Sequence, residues 1–120
     1  MHLSEIAQIL ALEIRSAAKH LDTDILGGYA SDLMSDVMAN AEEGYLWVTL
    51  QTHANIVAVA AMKELAGIIL INGREPEKET AEKAEEKNIP ILVSRLPAFE
   101  LIGRLYELGI PGLRADAEES

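Results

Sequence analysis

The chain has 120 residues, of which 49% are apolar, 25% are charged and 4% are aromatic, and its formal net charge at pH 7 is −10. This size and composition fit one domain with an aliphatic core, while the acidic balance argues against binding nucleic acid or anionic membranes, which needs clustered Lys and Arg. The absence of cysteine excludes disulfides, thiolate zinc sites and thiol catalysis.

Membrane insertion and export are not expected from the sequence. No apolar run approaches the roughly 20 residues of a membrane-spanning helix. The N-terminus has neither a basic leader nor the apolar block of a signal peptide. We therefore expect a cytoplasmic protein without a membrane partner.

The apolar residues at the start of the chain have helical spacing and predict a helix, with Ser4 as a candidate N-cap. The apolar residues on one face of this helix are Leu3, Ile6, Ile9 and Leu10. Leu12–Ser16 either extends that helix or forms a short edge strand, and we favour the strand. The polar connector from His20 to Asp24 lacks the regular loop and closing glutamate of a calcium site, so no metal is predicted there.

A pair of glycines interrupts the next apolar segment, Ile25–Ala30, and suggests a bend or a close backbone approach. Ser31 or Asp32 is expected to cap a short helix that runs to about Ala41. The residues predicted to face inward from that helix are Leu33, Met34, Val37 and Met38.

The middle of the chain begins with a strong strand signal at Tyr45–Leu50, which is aromatic and β-branched. Asn55–Leu65 then predicts a helix that is apolar on nearly every side. Such a helix is either sandwiched inside the domain or covered by a second copy of the chain.

A strand–helix–strand unit follows. Gly67–Ile71 and Ile89–Val93 are apolar at nearly every position, as buried parallel strands are. Asn72-Gly73 breaks the first strand, and Pro76 is placed in the first turn of a helix that ends near Asn88. Two parallel strands joined by a crossover helix are therefore predicted.

The last predicted helix is Pro97–Leu108, with Gly109 as its stop. Its apolar face is predicted to contain Phe99, Ile102, Leu105 and Tyr106. Residues 1–110 are taken as one domain and residues 111–120 as an acidic, flexible tail. The alternation of strands and helices predicts an α/β fold of three layers, a mainly parallel sheet with helices on both faces.

Polar residues follow several of the predicted parallel strands, where ligands usually bind. We call this strand-end surface the rim. Its candidate residues are Gln51, Thr52, His53, Asn72, Gly73, Arg74, Ser94 and Arg95, joined by Gly27, Gly28, Tyr29 and Ser31 if the glycine turn folds over that edge. Helix N-termini and two arginines there favour a small anion such as a phosphate or carboxylate.

Simpler readings of the rim residues stay open. Thr52 or His53 would then only cap a helix, Asn72-Gly73 would only shape a turn, and the arginines would only be solvated. His53 is the one histidine in a suggestive place, but no carboxylate partner for a general base is evident from the sequence. No phosphate-binding motif of the P-loop or Rossmann type occurs. No cofactor is predicted.

Three stretches of the chain together resemble a DRTGG domain, over about residues 3–110. They are Gly27–Asn40 (GGYASDLMSDVMAN), Leu46–Ala58 (LWVTLQTHANIVA), and Gly67–Ser94 taken with Phe99–Leu108. The chain is also similar to the N-terminal domain of HPr kinase/phosphorylase. The resemblance implies the three-layer α/β fold of that domain and a regulatory or sensing role without catalytic residues.

Two departures qualify what the resemblance implies. The pentapeptide that names the family is absent, and Thr52-His53 stands where relatives in larger enzymes place an Asp-Arg pair. We therefore expect a non-enzymatic domain that binds a small anionic ligand or a signalling protein at the rim. The alternatives are a structural homodimer, formed through the Asn55–Leu65 helix or the Phe99–Tyr106 face, and an enzyme that uses His53.

Overall fold

The computed structural model describes residues 1–113 and contains five strands and five α-helices in that range. The strands are β1 (Glu13–Ser16), β2 (Gly27–Ala30), β3 (Tyr45–Thr49), β4 (Gly67–Leu70) and β5 (Ile91–Val93). The helices are α1 (Leu3–Ile9), α2 (Met34–Asn40), α3 (Asn55–Lys63), α4 (Lys78–Glu86) and α5 (Ala98–Glu107), with a short 3₁₀ turn at Ala18–His20.

The strands form one sheet in the order β1-β5-β4-β3-β2. Strands β2 to β5 are parallel to one another, whereas β1 pairs with β5 in the antiparallel direction and forms one edge. The predicted mainly parallel sheet is therefore confirmed. The edge strand expected over residues 12–16 is confirmed as well.

Helices cover both faces of the sheet, which confirms the three-layer prediction. One apolar cluster joins α2, α3 and α4 to the sheet, and a second joins α1 and α5 to its other face. The alternation along β3 shows how: Tyr45 and Trp47 belong to the first cluster, and Leu46 and Val48 to the second. Aliphatic side chains fill most of both clusters.

Left-handed residues end several elements where the sequence predicted a stop. Asn88 follows α4 with a φ of 60°, and Gly109 follows α5 with a φ of 96°. Asn72 and Gly73 are both left-handed after β4, with φ values of 57° and 66°. Asn and Gly tolerate this conformation better than other residues.

Two predicted helix starts are wrong by about two residues. The N-cap of α1 is His2 rather than Ser4, because the side chain of Glu5 accepts the His2 N–H at 2.8 Å. Pro76 lies before α4 instead of in its first turn, since Glu77 is the N-cap. The Glu77 N–H is satisfied by the Thr52 carbonyl at 3.2 Å, so the helix begins only after this contact.

Some predicted inward faces are also wrong. Ile9 and Leu33 are exposed, and Leu33 precedes α2 as its N-cap residue. Asp32 does not cap α2 with its side chain, because its carboxylate accepts hydrogen bonds from Thr49 Oγ1 at 2.8 Å and from the Leu50 N–H at 2.7 Å.

The face of α5 is the largest correction to the predicted core. Leu105 is buried as predicted, together with Leu101, whereas Phe99, Ile102 and Tyr106 are 87%, 38% and 70% exposed. Both faces have helical spacing, so periodicity alone could not separate them. The aliphatic pair packs into the second cluster, and the two aromatic residues point away from it.

The glycine pair forms β2 itself and not a bend. The close approach is real at Gly27, where an added Cβ would lie 2.4 Å from the ring of Tyr45. Beyond α5, the Pro111 carbonyl accepts the Gly28 N–H at 2.8 Å, at the outer edge of β2. Residues 114–120 of the predicted tail lie outside the described range.

Candidate functional site

The rim turns lie side by side at the carboxyl ends of the strands, because the strands before them are adjacent and parallel. Thr49 pairs with Leu70, and Leu70 pairs with Val93. Main-chain hydrogen bonds also join two of the turns, since the Asn72 N–H donates to Leu96 O at 2.9 Å and the Gly73 N–H to Ser94 O at 2.7 Å. The turns at 51–53, 72–74 and 94–95 are therefore neighbours.

A polar cavity of about 300 Å³ opens at this edge. We call it the rim cavity. Its lining residues are Glu13, Asn72, Gly73, Glu75, Val93 and Arg95. Glu13 is present because β1 runs antiparallel to β5, which sets Glu13 opposite Val93. Sequence reasoning placed Asn72, Gly73 and Arg95 at the rim and missed both glutamates.

The two glutamates are held by Arg15. The Arg15 guanidinium donates to both oxygens of Glu75, through Nε at 2.6 Å and Nη2 at 2.7 Å. Its Nη2 also donates to Glu13 Oε1 at 2.6 Å. These hydrogen bonds from Arg15 lower the pKa of Glu75 and of Glu13, and they raise the pKa of Arg15. Both carboxylates therefore stay ionised at neutral pH.

Arg95 is the cation of the rim cavity that is least engaged. Its side chain is 85% exposed, and its contact to Glu13 Oε2 is 3.4 Å long. Arg74 is exposed in the turn after β4, but it does not line the cavity. The Arg95 guanidinium is therefore the group at the cavity that is available to an anion, although Glu13 competes for it.

Backbone donors at the turn are already used. The N–H groups of Asn72, Gly73 and Arg74 donate to the carbonyls of Leu96, Ser94 and Ile71. The Ser94 side chain is buried, and its Oγ accepts the Leu96 N–H at 3.1 Å. The N–H groups of residues 72–74 therefore do not form a backbone nest for a ligand in the rim cavity.

Gln51 and Thr52 connect neighbouring elements. Gln51 Nε2 donates to the Asp32 carbonyl at 2.9 Å, which fixes the loop after β2. The Thr52 carbonyl accepts Thr80 Oγ1 at 2.8 Å, which fixes α4. Ser31 also leaves the sheet at this edge, with its N–H donating to Val48 O at 3.2 Å. These contacts support the rim structurally.

His53 belongs to a different cavity, between α3 and α4. That cavity measures about 270 Å³, and its charged lining residues are Glu79, Lys83 and Lys87. His53 Nδ1 accepts the Asn55 N–H at 3.1 Å, so the ring satisfies a backbone donor in the first turn of α3. Within residues 1–113 no hydrogen bond or ion pair joins this ring to a carboxylate.

The glycine pair is not brought to the rim. Gly27 begins β2 opposite Tyr45 at the start of β3, which is the other end of the sheet. Gly28 and Tyr29 line an apolar cavity of about 150 Å³ beside α5, which we call the α5 cavity. The Tyr29 hydroxyl donates to the carboxylate of Asp36 at 2.9 Å, and this hydrogen bond raises the pKa of Tyr29.

Neither a metal cluster nor a membrane helix is found in the described range. No group of three or more His, Cys, Asp or Glu side chains within residues 1–113 could hold a metal ion. None of the helices in that range is long and apolar enough to cross a bilayer.

Comparison with solved structures shows that this fold is known. No protein-family model and no curated protein matches the sequence. The fold is similar to a crystal structure of the CBS and DRTGG domains of the regulatory region of Clostridium perfringens pyrophosphatase, complexed with the activator diadenosine tetraphosphate. The TM-score is 0.67 at 19% sequence identity.

This match covers 91% of the present chain and 47% of the other, so the chain spans about half the length of that structure. The likeness supports the DRTGG-like fold expected from the sequence. At this level of identity it shows the fold alone.

Proposed function

We propose that the chain is a non-catalytic regulatory or sensing domain that binds a small anionic ligand in the rim cavity. The observation that carries the proposal is that Arg95 is exposed and only weakly paired. This arginine is 85% exposed at the mouth of a polar cavity and makes only a long contact, 3.4 Å, to Glu13. An arginine in that state gains more from a phosphate or carboxylate than one already held in a bidentate pair.

The neighbouring carboxylates shape which anion is accepted. Glu75 is held in a bidentate pair with Arg15, which also contacts Glu13. An anion that binds Arg95 displaces only the long 3.4 Å contact between Arg95 and Glu13. Glu13 keeps its 2.6 Å contact to Arg15, so little binding energy is lost. The asparagine amide of Asn72 adds a neutral donor and acceptor at the same mouth.

Nucleotides are the first probes we propose. The structurally similar regulatory region is complexed with a polyphosphate activator, which supports testing phosphate-bearing ligands before simple carboxylates. A catalytic role for His53 is less favoured, because its Nδ1 is engaged by the Asn55 N–H and Glu79 in the same cavity lies 3.9 Å from Lys83.

The test is a thermal-shift and calorimetric screen against nucleotides, acyl phosphates and carboxylates. A ligand at 100 times its Kd stabilises the folded state by about 2.7 kcal/mol, which such a screen detects. Arg95→Ala should weaken binding by about 10–100-fold, because a hydrogen bond to a charged group is worth about 1.5–3 kcal/mol. Glu13→Gln should tighten it, because the competing carboxylate charge is gone.

Lys87→Ala is the matched control, since Lys87 is an exposed cation of the α3–α4 cavity. Binding should be unchanged in that variant. A panel without any shift would end the ligand proposal. Loss of binding in Lys87→Ala with full binding in Arg95→Ala would move the site to the other cavity.

A homodimer is the second proposal, and the exposed residues favour one of its two predicted faces. Most apolar residues of α3 are buried within the domain, which leaves Met62 as its large exposed apolar side chain. On α5, by contrast, Phe99, Ile102 and Tyr106 are exposed together. Light scattering that shows a monomer at micromolar concentration would remove this proposal.

A further inference from the structure

The outer face of α5 carries an apolar stripe that the single chain does not bury. Phe99, Ile102 and Tyr106 are 87%, 38% and 70% exposed. They are three and four residues apart, so they lie on one side of the helix. The opposite side of α5 holds Leu101 and Leu105, which fill the domain core.

A glycine lies beside this stripe, between it and the charged flank of α5 that holds Glu100 and Arg104. Gly103 is inside α5, where glycine is the poorest helix former after proline. An added Cβ at Gly103 would meet nothing within 4 Å outside the backbone of its own helix. The fold of one chain therefore gives no reason for a glycine here, whereas a closely packed partner helix would.

We propose that α5 packs antiparallel against α5 of a second copy, about a two-fold axis that passes beside Gly103. Ile102 and Gly103 lie midway between Phe99 and Tyr106 in the sequence. An antiparallel pair centred there sets Phe99 of each copy level with Tyr106 of the other. The arrangement rests on the homodimer proposed above and is independent of the rim ligand.

The α5 cavity fits this arrangement. It measures about 150 Å³, is lined almost wholly by apolar groups and includes Ile102 and Tyr106. That volume accommodates a single aromatic side chain and is below the roughly 300 Å³ of common small-molecule pockets. Phe99 of the second copy reaches the mouth of this cavity, and the two-fold axis repeats the contact on the other side.

One charged pair beside the stripe is complementary in the same register. Glu100, Arg104 and Glu107 line the same groove on one flank of α5, and Glu100 and Arg104 are one turn apart. In an antiparallel two-fold pair each flank meets the same flank of the other copy. Arg104 of one copy is then level with Glu100 of the other to within about one residue, or about 1.5 Å along the axis.

A single cysteine tests the axis directly, because the chain has no cysteine of its own. Gly103→Cys should form an interchain disulfide under mild oxidation, since two copies of a residue on the axis approach within the roughly 7 Å limit between Cα atoms. Glu82→Cys, on the exposed side of α4, is the control and should not cross-link.

The outcomes separate the two proposals. A wild-type chain that is monomeric in light scattering at micromolar concentration overturns the homodimer and the α5 arrangement together. A wild-type dimer in which Gly103→Cys fails to cross-link overturns the α5 arrangement alone. Cross-linking of both cysteine variants to the same extent also overturns it, because the reaction is then collisional.

Two further variants test the packing and the register. Gly103→Leu should weaken the dimer by about tenfold or more, because a large side chain overfills the crossing, yet it should not lower the thermal stability of the monomer. Arg104→Glu chains mixed with Glu100→Arg chains should form mixed dimers in preference to either homodimer. Undiminished dimerisation of Gly103→Leu, or no preference for mixed dimers by native mass spectrometry, would refute the antiparallel pairing.

Discussion

Two adjacent glycines in β2 meet different surroundings, although the sequence presents them as equals. A Cβ at Gly27 would lie 2.4 Å from Cζ of Tyr45, whose ring is buried and whose hydroxyl donates to the Gly112 carbonyl at 3.3 Å. A Cβ at Gly28 would have its nearest neighbours at 3.8 Å, an ordinary contact distance. The need for glycine is therefore specific to Gly27.

Gly27→Ala should destabilise the protein by about 1–3 kcal/mol, because the new methyl group forces the Tyr45 ring out of its place. Gly28→Ala is the matched control and should change the unfolding free energy by less than about 1 kcal/mol. Urea denaturation followed by the fluorescence of Trp47 measures both. Equal losses in the two variants would show that backbone freedom of the glycine pair, and not contact with Tyr45, is what matters.

The charged residues of the rim show what a linear reading cannot find. Arg95 follows a buried strand, so its place at the rim could be predicted from the sequence alone. Arg15 and Glu75 are 60 residues apart, and nothing local indicates that they form a bidentate pair. Their contact depends on β1 joining the sheet next to β5, which is a property of the topology.

Among the elements, β1 is held to the sheet partly by a side chain and not only by main-chain hydrogen bonds. The register shifts between Ile14 and Ser16, which marks an irregularity in the ladder. Ser16 Oγ fills the gap, because it donates to the Ile89 carbonyl at 2.8 Å and accepts the Ile91 N–H at 2.9 Å. A buried hydroxyl thus replaces main-chain pairing at the end of the one antiparallel strand in residues 1–113.

Ser16→Ala should cost about 1–3 kcal/mol, because it leaves a buried carbonyl and a buried N–H without a partner. Ser94→Ala is the comparison: that serine is equally buried, but its Oγ accepts the Leu96 N–H alone among the backbone groups described. We expect a smaller loss there. Hydrogen exchange should localise the Ser16 effect to β1 and the Ile91 amide. Uniform acceleration across the sheet would contradict a local role.

At the scale of the whole molecule, the architecture could be predicted from local sequence patterns. Apolar runs and stop residues such as Asn88 and Gly109 predicted the order of strands and helices, and the parallel sheet follows from that order. The exposed face of α5 was not predictable, because Phe99, Ile102 and Tyr106 have helical spacing among themselves just as Leu101 and Leu105 do. Which face is buried depends on how α5 packs on the sheet, and that is not a local property.

The charge balance is the other property of the whole molecule. The formal net charge is −10 for the whole sequence and −8 for residues 1–113, which hold 9 Lys and Arg against 17 Asp and Glu, and the radius of gyration is 13.1 Å. At about 0.01 M salt the Debye length is about 30 Å, so most acidic groups repel one another across the protein. The ion pairs in residues 1–113 involve partly exposed side chains, and such pairs contribute about 0–1 kcal/mol each. Repulsion should therefore outweigh attraction in the folded state.

Stability should accordingly rise as NaCl increases from about 0.01 M to about 0.2 M, where the Debye length falls below about 10 Å. The measurement is the urea midpoint at fixed pH and protein concentration. Replacing the exposed Glu42 and Glu43 by glutamine changes the net charge from −10 to −8 and should reduce this salt dependence. A midpoint that falls with added salt would instead mean that the Arg15 and Arg95 pairs dominate, because screening would then remove more attraction than repulsion.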